Sequence, residues 1–512
     1  MEISILKFLY EKYNNFGQKD NSTISDITAI KILQEDLFPF ENISDKFKKY
    51  KELCQSKQQF TGDETFQNYP SIKEIPQPKS IFLRVIYFDL VTKAIPDEYF
   101  ESLKLNCTDL NQLVLSISLY ALFLQTYTFS KSKITSSQKK WLLGSEDFYF
   151  RLDDLQRVCG KITLKSYNTF LDLFAFNLDK HKYSELEFKK LYSKNGNLFI
   201  FSIEEFLDYM LFLIECLYRG SCTNAQFSQY QQRKSLAFEN LAYSILQAEF
   251  SNTGHGMYYY TSDKKKIETD IIVKTNEELI IFECKSGTVD LRSASTDEEI
   301  IMKVRNLVKK AYVSLEVVAN YIQASNEYCF SNNQQIIKGE SDIDNTLCVH
   351  LSMYPIDFIA SNIHVLNDEY LGKINKPKIT MSFEHLTSII IDLRSKKTSL
   401  SNYLRKRQIT ILNNPKKSFD INELDLYNQL MDIDGKSILN EMIETDFFNK
   451  VNENATTITT FRNSEGQEYR PSTYMIQNLD TVLLSSIIKN GKNHFNLNKR
   501  FLRYFEEYLI EH

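Results

Sequence analysis

The stretch from Glu268 to Gly287, ETDIIVKTNEELIIFECKSG, constrains the fold more than any other part of the chain. Two apolar runs flank a short polar connection, which predicts an antiparallel hairpin of two strands. The second run, LIIFECK, has apolar residues at consecutive positions, which is typical of a strand buried on both faces of a sheet. This strand also carries an acid and a lysine, and buried charge is costly unless it is paired or coordinates a metal.

The charged side chains of the hairpin are predicted to converge. Glu283 and Lys285 are two positions apart and so point to one face of the strand, whereas Cys284 points to the other. We expect the short connection at 276–278 to place Asp270, which opens the first strand, beside Glu283. Two neighbouring carboxylates repel each other unless a cation lies between them. A structural salt bridge with the lysine as counter-ion is one interpretation, and a Mg²⁺ site that acts on phosphodiesters is the other.

Three roles are open to Lys285 beside such a metal. The lysine could orient the attacking water, take a proton from it, or stabilise the negative charge that develops on the phosphate. The role of base would require a lowered lysine pKa. The residues alone do not decide among these roles.

The surrounding sequence predicts a helix, three strands, a second helix and a further strand, in that order. This order suits a mixed sheet with a helix on either face. We interpret the segment NTGHG as the turn that precedes the first strand. The predicted ranges are 235–250 for the first helix, 257–261, 269–275 and 279–286 for the three strands, 297–323 for the second helix and 346–355 for the last strand.

The segments TDII and FECK, preceded by a helix that carries Glu239, resemble the PD-(D/E)XK nuclease superfamily, which has the restriction-endonuclease-like fold. The resemblance covers about residues 230–355 and implies Asp270 and Glu283 as metal ligands. It implies that Lys285 acts at the attacking water, so that these three residues are catalytic, and that Glu239 is an auxiliary metal ligand. A threonine stands where the family's name-giving proline would be, at a position where many members vary. The implied cofactor is Mg²⁺, with Mn²⁺ as a substitute.

The function that this resemblance implies is phosphodiester hydrolysis by a Mg²⁺-dependent nuclease. We expect DNA as the substrate and, by analogy, a role in bacterial restriction or anti-phage defence together with partner proteins of such a system. One site of this kind is present in the sequence, so a homodimer would allow both strands of a duplex to be cut. Two alternatives remain: a non-catalytic nucleic-acid-binding or scaffold protein that retains the nuclease fold, and an RNA-directed nuclease.

Clustered cations are the candidates for binding a phosphate backbone. The formal net charge is −5, so a nucleic-acid binder of this composition must concentrate positive charge locally. One cluster falls in the second helix of the core and the other in RSKKTSLSNYLRKR, for which a solvated helix face is the alternative. The candidate residues are Lys303 and Arg305 in the first cluster, and Arg394, Lys396, Lys397, Arg405, Lys406 and Arg407 in the second.

Length and composition indicate several globular domains, and the predicted helices and strands place the fold in the α+β class. Of the 512 residues, 43% are hydrophobic and 25% are charged, which is enough apolar material for a sizeable core. We divide the chain into a mostly helical region at 1–225, a domain with a restriction-endonuclease-like αβββαβ core at 226–370, and a mixed, mainly helical region at 371–512.

Cysteine usage and hydropathy point to a cytoplasmic protein that does not associate with membranes. The eight cysteines include no CxxC pair, which disfavours a structural zinc site. The first residues lack the pattern of a secretory signal. The most apolar run, at 113–129, contains polar residues and is a little short for a membrane span, so we expect a buried core helix there.

Overall fold

A computed structural model describes two compact units of the chain. One comprises residues described within 81–230 and 482–503, and the other those within 231–481 together with 78–80. The described residues are 78–130, 150–177, 191–200, 203–261, 263–287, 297–356, 360, 364, 378–413, 423–432, 461–462, 468–469, 471–494 and 497–503.

The first unit is built mainly from helices. Its strands form a small sheet with the order β1-β2-β3. The elements are α1 (Ile81–Ala94), α2 (Asp97–Ser102), α3 (Cys107–Ser130), α4 (Leu152–Val158), α5 (Leu164–Phe174), α6 (Ile203–Ser221), β1 (Phe176–Asn177), β2 (Tyr192–Lys194) and β3 (Asn197–Phe199), and α7 (Asn224–Glu249) contributes to both units.

Helix α3 contains the apolar run that sequence analysis singled out. Its side chains from Leu110 to Ala121 are buried, so the prediction of a core helix is confirmed over that part. Among the described residues, no helix combines the length and the apolar character needed to cross a lipid bilayer.

The second unit is organised around a mixed seven-stranded sheet with the order β10-β9-β6-β5-β4-β7-β8. The pairs β10–β9 and β9–β6 are parallel, and the remaining neighbours are antiparallel. The strands are β4 (Thr253–Tyr260), β5 (Lys266–Lys274), β6 (Leu279–Lys285), β7 (Glu327–Ser331), β8 (Ile336–Glu340), β9 (Thr346–Ser352) and β10 (Ile379–Ser382).

Helices and a short hairpin complete this unit. Helix α9 follows β10 directly, and its N-terminus is capped by Ser382, whose Oγ accepts a hydrogen bond from the backbone N–H of His385 at 3.2 Å. The elements are α8 (Asp297–Ala324), α9 (Phe383–Lys396), α10 (Leu400–Asn413), α11 (Glu423–Asp432), the hairpin strands β11 (Phe461–Arg462) and β12 (Glu468–Tyr469), and α12 (Pro471–His494), which contributes to both units.

The predicted mixed architecture of helices and strands is confirmed, and the predicted elements of the second unit follow one another in the predicted sequence. Two details of the prediction were wrong. The segment NTGHG is not a turn, because β4 begins at Thr253 and continues through Gly256. Strand β5 begins at Lys266, so Asp270 lies within the strand and does not open it. The hairpin β7–β8 between α8 and β9 was not predicted, and the restriction-endonuclease-like core and the three-domain division stay predictions.

The core of the second unit lies between the sheet and α8. Ile272 on β5, Ile281 on β6 and Cys348 on β9 are buried together with Val308 and Leu315 on α8. Each fully buried aliphatic side chain of this kind contributes about 1.5–3 kcal/mol. This packing fixes β6 and β9 in position, and β6 carries the charged residues singled out above.

A buried ion pair links α10 to α11. Arg407 Nε donates to Glu423 Oε1 at 3.1 Å, and Tyr403 Oη donates to the same oxygen at 2.5 Å. Both charged side chains are almost completely buried. Breaking such a pair by removing one partner leaves an uncompensated charge in the interior.

We predict that Arg407→Met lowers the free energy of unfolding by roughly 3–5 kcal/mol, because the Glu423 carboxylate loses its counter-charge. Urea denaturation followed by circular dichroism measures the change. Lys310→Met, on an exposed face of α8, is the matched control and should change stability by no more than about 0.5 kcal/mol. A loss below about 1 kcal/mol for Arg407→Met would contradict the argument.

Candidate active site

The β5–β6 ladder places two acids side by side. Ile271 pairs with Phe282 and Ile272 with Ile281, so the next residues along the same register are Asp270 and Glu283. The carboxylate of Asp270 reaches across to β6, where its Oδ2 accepts the backbone N–H of Cys284 at 2.7 Å. The predicted antiparallel pairing of the hairpin is therefore confirmed, and it brings the two acids together.

Glu283 and Lys285 share a face, as their spacing predicted. Lys285 Nζ donates to Glu283 Oε1 at 2.6 Å. The side chain of Glu283 is 8% exposed and that of Lys285 is 26% exposed, so the lysine is the part of this pair that solvent reaches. Burial alone would lower the pKa of Lys285, but its attraction to Glu283 and the hydrogen bond between them raise it above its ordinary value. The ammonium is thus charged at neutral pH, and in this state it does not serve as a base.

Asp270 carries the most perturbed carboxyl group of the site. Its pKa is raised to about 8, chiefly by burial and further by repulsion from the charges of Glu283 and Glu239. The hydrogen bond from Cys284 and the positive charge of Lys285 act in the opposite direction without cancelling it. The nearby positive charge does not balance the acids of the site, and Asp270 therefore retains a proton at neutral pH.

Glu239 reaches the same site from α7. Ser235 Oγ donates to its Oε1 at 3.2 Å, and its Oε2 lies 3.8 Å from His255 Nε2 on β4. The His255 ring stacks on Tyr243 of α7, with the ring centroids 5.3 Å apart. The placement of Glu239 near Asp270 agrees with the role implied by the family resemblance. The contact with His255 was not predicted, because residues 252–256 were interpreted as a turn.

Gly256 is the β4 residue that faces Asp270. It lies between the register pairs His255–Ile271 and Met257–Thr269, and its φ of 57° is in the left-handed region. A residue with a Cβ rarely adopts this conformation in a strand. Glycine thus allows β4 to continue alongside β5 at the level of the acids.

The thiol of Cys284 is buried and takes no part in the charged face formed by its neighbours. It points away from the face that carries Glu283 and Lys285, and it is 1% exposed. Burial, together with the nearby acids, raises the pKa of its thiol well above the ordinary value. Cys284 therefore stays a protonated thiol whose contribution to the site is its backbone N–H.

The donor set of the site fits a hard divalent cation, although its present arrangement is not a preformed cage. Across the residues that the structure describes, no three His, Cys, Asp or Glu side chains are grouped closely enough to hold a metal ion as they stand. Glu239 is turned toward His255, and Glu283 toward Lys285. Carboxylate oxygens are the ligands that Mg²⁺ takes, and Asp270, Glu283 and Glu239 supply them here.

The second predicted phosphate-binding cluster is largely occupied by contacts within the protein. Arg407 was wrongly included, because it is buried against Glu423 and cannot reach a phosphate. The others stay predictions. Arg394 pairs with Glu249 at 2.7 Å, Lys396 with Asp392 at 3.0 Å and Arg405 with Glu278 at 2.6 Å; Lys406 Nζ donates to Leu430 O at 3.1 Å; and Lys397 is exposed at the C-terminus of α9.

The first predicted cluster lies on α8. The backbone of Lys303 and Arg305 belongs to this helix, and their side chains lie outside the described part of the structure. Their predicted role in binding nucleic acid therefore stays a prediction.

Residues 234–328 match a family described as "Domain of unknown function (DUF4143)". The matched span runs from α7 into β7 and includes all four candidate site residues, Glu239, Asp270, Glu283 and Lys285. No curated protein and no solved structure matches the chain. The family description states no activity.

We predict a distinctive pH dependence for the stability of Asp270→Asn. An unfolded Asp has a pKa of about 3.9, and the folded value is about 8. Between these values the folded wild type retains a proton that the unfolded chain releases, so this group makes wild-type stability fall as pH rises from 4 to 8. The variant lacks this contribution. Its free energy of unfolding should therefore rise by roughly 1–3 kcal/mol relative to wild type as the pH increases across that window.

Urea denaturation of both proteins at one-unit steps from pH 4 to pH 9 tests this prediction. The exposed acid Glu268, two positions from Asp270 on β5, provides the control, and Glu268→Gln should follow the wild-type profile. Parallel profiles for wild type and Asp270→Asn would refute the raised pKa.

Proposed function

We propose that this protein is a divalent-cation-dependent nuclease that hydrolyses phosphodiester bonds, with DNA as the expected substrate. The observation that carries the proposal is the group of charges on β5 and β6. Asp270 and Glu283 lie beside each other, and Lys285 adjoins them with a charged ammonium that solvent reaches. Two acids and a lysine grouped on two neighbouring strands are difficult to explain as structure alone, because a buried charge is costly.

Each residue would have a distinct part in the reaction. Asp270 and Glu283 would hold a Mg²⁺ ion, with Glu239 as an auxiliary ligand from α7. When bound, the ion would polarise the phosphodiester and supply an activated water. Lys285 would orient that water and stabilise the negative charge on the phosphate, because its ammonium lies beside the acids at a position that solvent reaches.

The sheet geometry also supports the restriction-endonuclease-like core that the sequence resemblance implies. A helix with an acid, an antiparallel hairpin with two further acids, a second helix and a parallel strand occur in the expected order. The wider role in restriction or anti-phage defence, with partner proteins or as a homodimer, rests on the resemblance alone and belongs to the proposal.

We predict that the wild type cleaves DNA in Mg²⁺ or Mn²⁺ but not in EDTA, and that Lys285→Ala lowers the cleavage rate at least about 100-fold by removing charge stabilisation. The assay compares supercoiled plasmid, linear duplex, single-stranded DNA and RNA. Lys266→Ala removes an exposed lysine from β5 and should leave the rate unchanged.

The outcome of this assay separates the alternatives. Preferred cleavage of RNA would favour the RNA-directed nuclease. Binding of nucleic acid without cleavage by any of the proteins would favour the non-catalytic scaffold. Equal cleavage by wild type and Lys285→Ala would place the activity elsewhere and end the proposal for this site.

We further predict that Mg²⁺ binding is coupled to loss of a proton from Asp270. Since the pKa of Asp270 is about 8 without a cation, the Mg²⁺ affinity should rise by up to about tenfold per pH unit below pH 8 and level off above it. Isothermal titration calorimetry in two buffers of different ionisation enthalpy measures the proton released. Binding that is independent of pH, or unchanged in Asp270→Asn, would exclude Asp270 as a ligand.

A further inference from the structure

His350 lies beside the site but has no role in the function proposed above. It belongs to β9, whose residues are all buried, and it is the register partner of Glu283 on β6. Laterally paired residues of neighbouring strands point to the same face of a sheet. The imidazole and the Glu283 carboxylate are therefore neighbours on one face.

The hydrogen bonds around His350 favour a proton on its Nδ1. Tyr312 Oη lies 3.3 Å from Lys378 O and 2.8 Å from Thr380 Oγ1. A carbonyl only accepts, so Tyr312 donates to Lys378, and Thr380 in turn donates to Tyr312. Thr380 Oγ1 then accepts from His350 Nδ1–H, 3.4 Å away. This arrangement satisfies all three contacts and leaves Nε2 with a lone pair.

The lone pair on Nε2 is unused in the described part of the structure. His350 is 0% exposed, and its Nε2 is buried without a hydrogen-bond partner among the described residues. A buried polar group without a partner destabilises the folded protein. The pKa of His350 is lowered to about 3, chiefly by burial and secondly by the charge of Lys285, so the ring is neutral near the lysine ammonium.

We propose that His350 is a positioning residue for Lys285. Its Nε2 accepts a hydrogen bond from the Lys285 ammonium when Glu283 turns from the lysine to a bound divalent cation. The inference rests on the proposed function, since it requires a cation at Glu283.

The exchange of partners follows from the contacts in the cation-free site. Lys285 donates to Glu283 there, so a cation that takes this carboxylate removes the partner of the ammonium. A partly buried ammonium without a partner is unfavourable. A neutral acceptor on the neighbouring strand keeps the ammonium on the face of the site without competing for the cation.

A double-mutant cycle on Mg²⁺ affinity, measured by calorimetry on the full chain, tests the inference. Because His350→Leu removes the acceptor, we expect it to weaken Mg²⁺ binding about tenfold. In a Lys285→Met background the ammonium is gone, and adding His350→Leu should change nothing. His350→Gln, whose amide oxygen accepts a hydrogen bond, should retain the wild-type affinity.

Other results would overturn the inference. An equal loss of affinity in both backgrounds would assign His350 a purely structural role, and no loss in either would remove it from the site. His350→Phe, which keeps a ring of similar shape, replaces His350→Leu if the latter does not fold. Failure of the proposed function looks different, because the wild type would then bind no Mg²⁺, or Asp270→Asn would bind it as wild type does.

Discussion

The backbone ladder between β5 and β6 is the constraint on which the rest of the site depends. Its register places Asp270 beside Glu283 on rigid, buried strands, so the two acids cannot separate to reduce their repulsion. The protein offsets this repulsion in three ways: Lys285 pairs with Glu283, the N–H of Cys284 binds Asp270, and Asp270 retains a proton. In the proposed function, a bound cation would compensate the same repulsion.

The packing around the ladder keeps this arrangement in place. Helix α8 covers one face of the sheet, and the parallel partner β9 is buried along its whole length. Strand β4 flanks the hairpin on its other edge, where Gly256 accommodates the backbone opposite Asp270. These are tertiary contacts far apart in sequence, and they turn a locally ordinary hairpin into a site with a perturbed carboxyl group.

Sequence patterns predicted the hairpin well because its signals are local. The apolar runs, the short connection and the two-residue spacing of Glu283 and Lys285 act within about twenty residues. The burial of Arg407 was missed for the opposite reason. The run LRKR suggests a solvated cluster, and the counter-charge of Arg407, Glu423, lies sixteen residues further along the chain. The helical spacing could have indicated the burial of Arg407. This residue continues the buried stripe formed by Leu400, Tyr403, Leu404 and Ile411. No local sequence pattern pointed to His350, because its proximity to Glu283 depends on the pairing of β9 with β6.

The burial of Cys284 has a practical consequence for solution studies of this site. Thiol-reactive probes attack the thiolate, and a buried thiol with a strongly raised pKa offers almost none at neutral pH. Cys216 and Cys329 are exposed. A fluorophore or spin label can therefore be attached at Cys329, on the sheet that carries the acids, while Cys284 between the two charged residues of β6 stays unmodified.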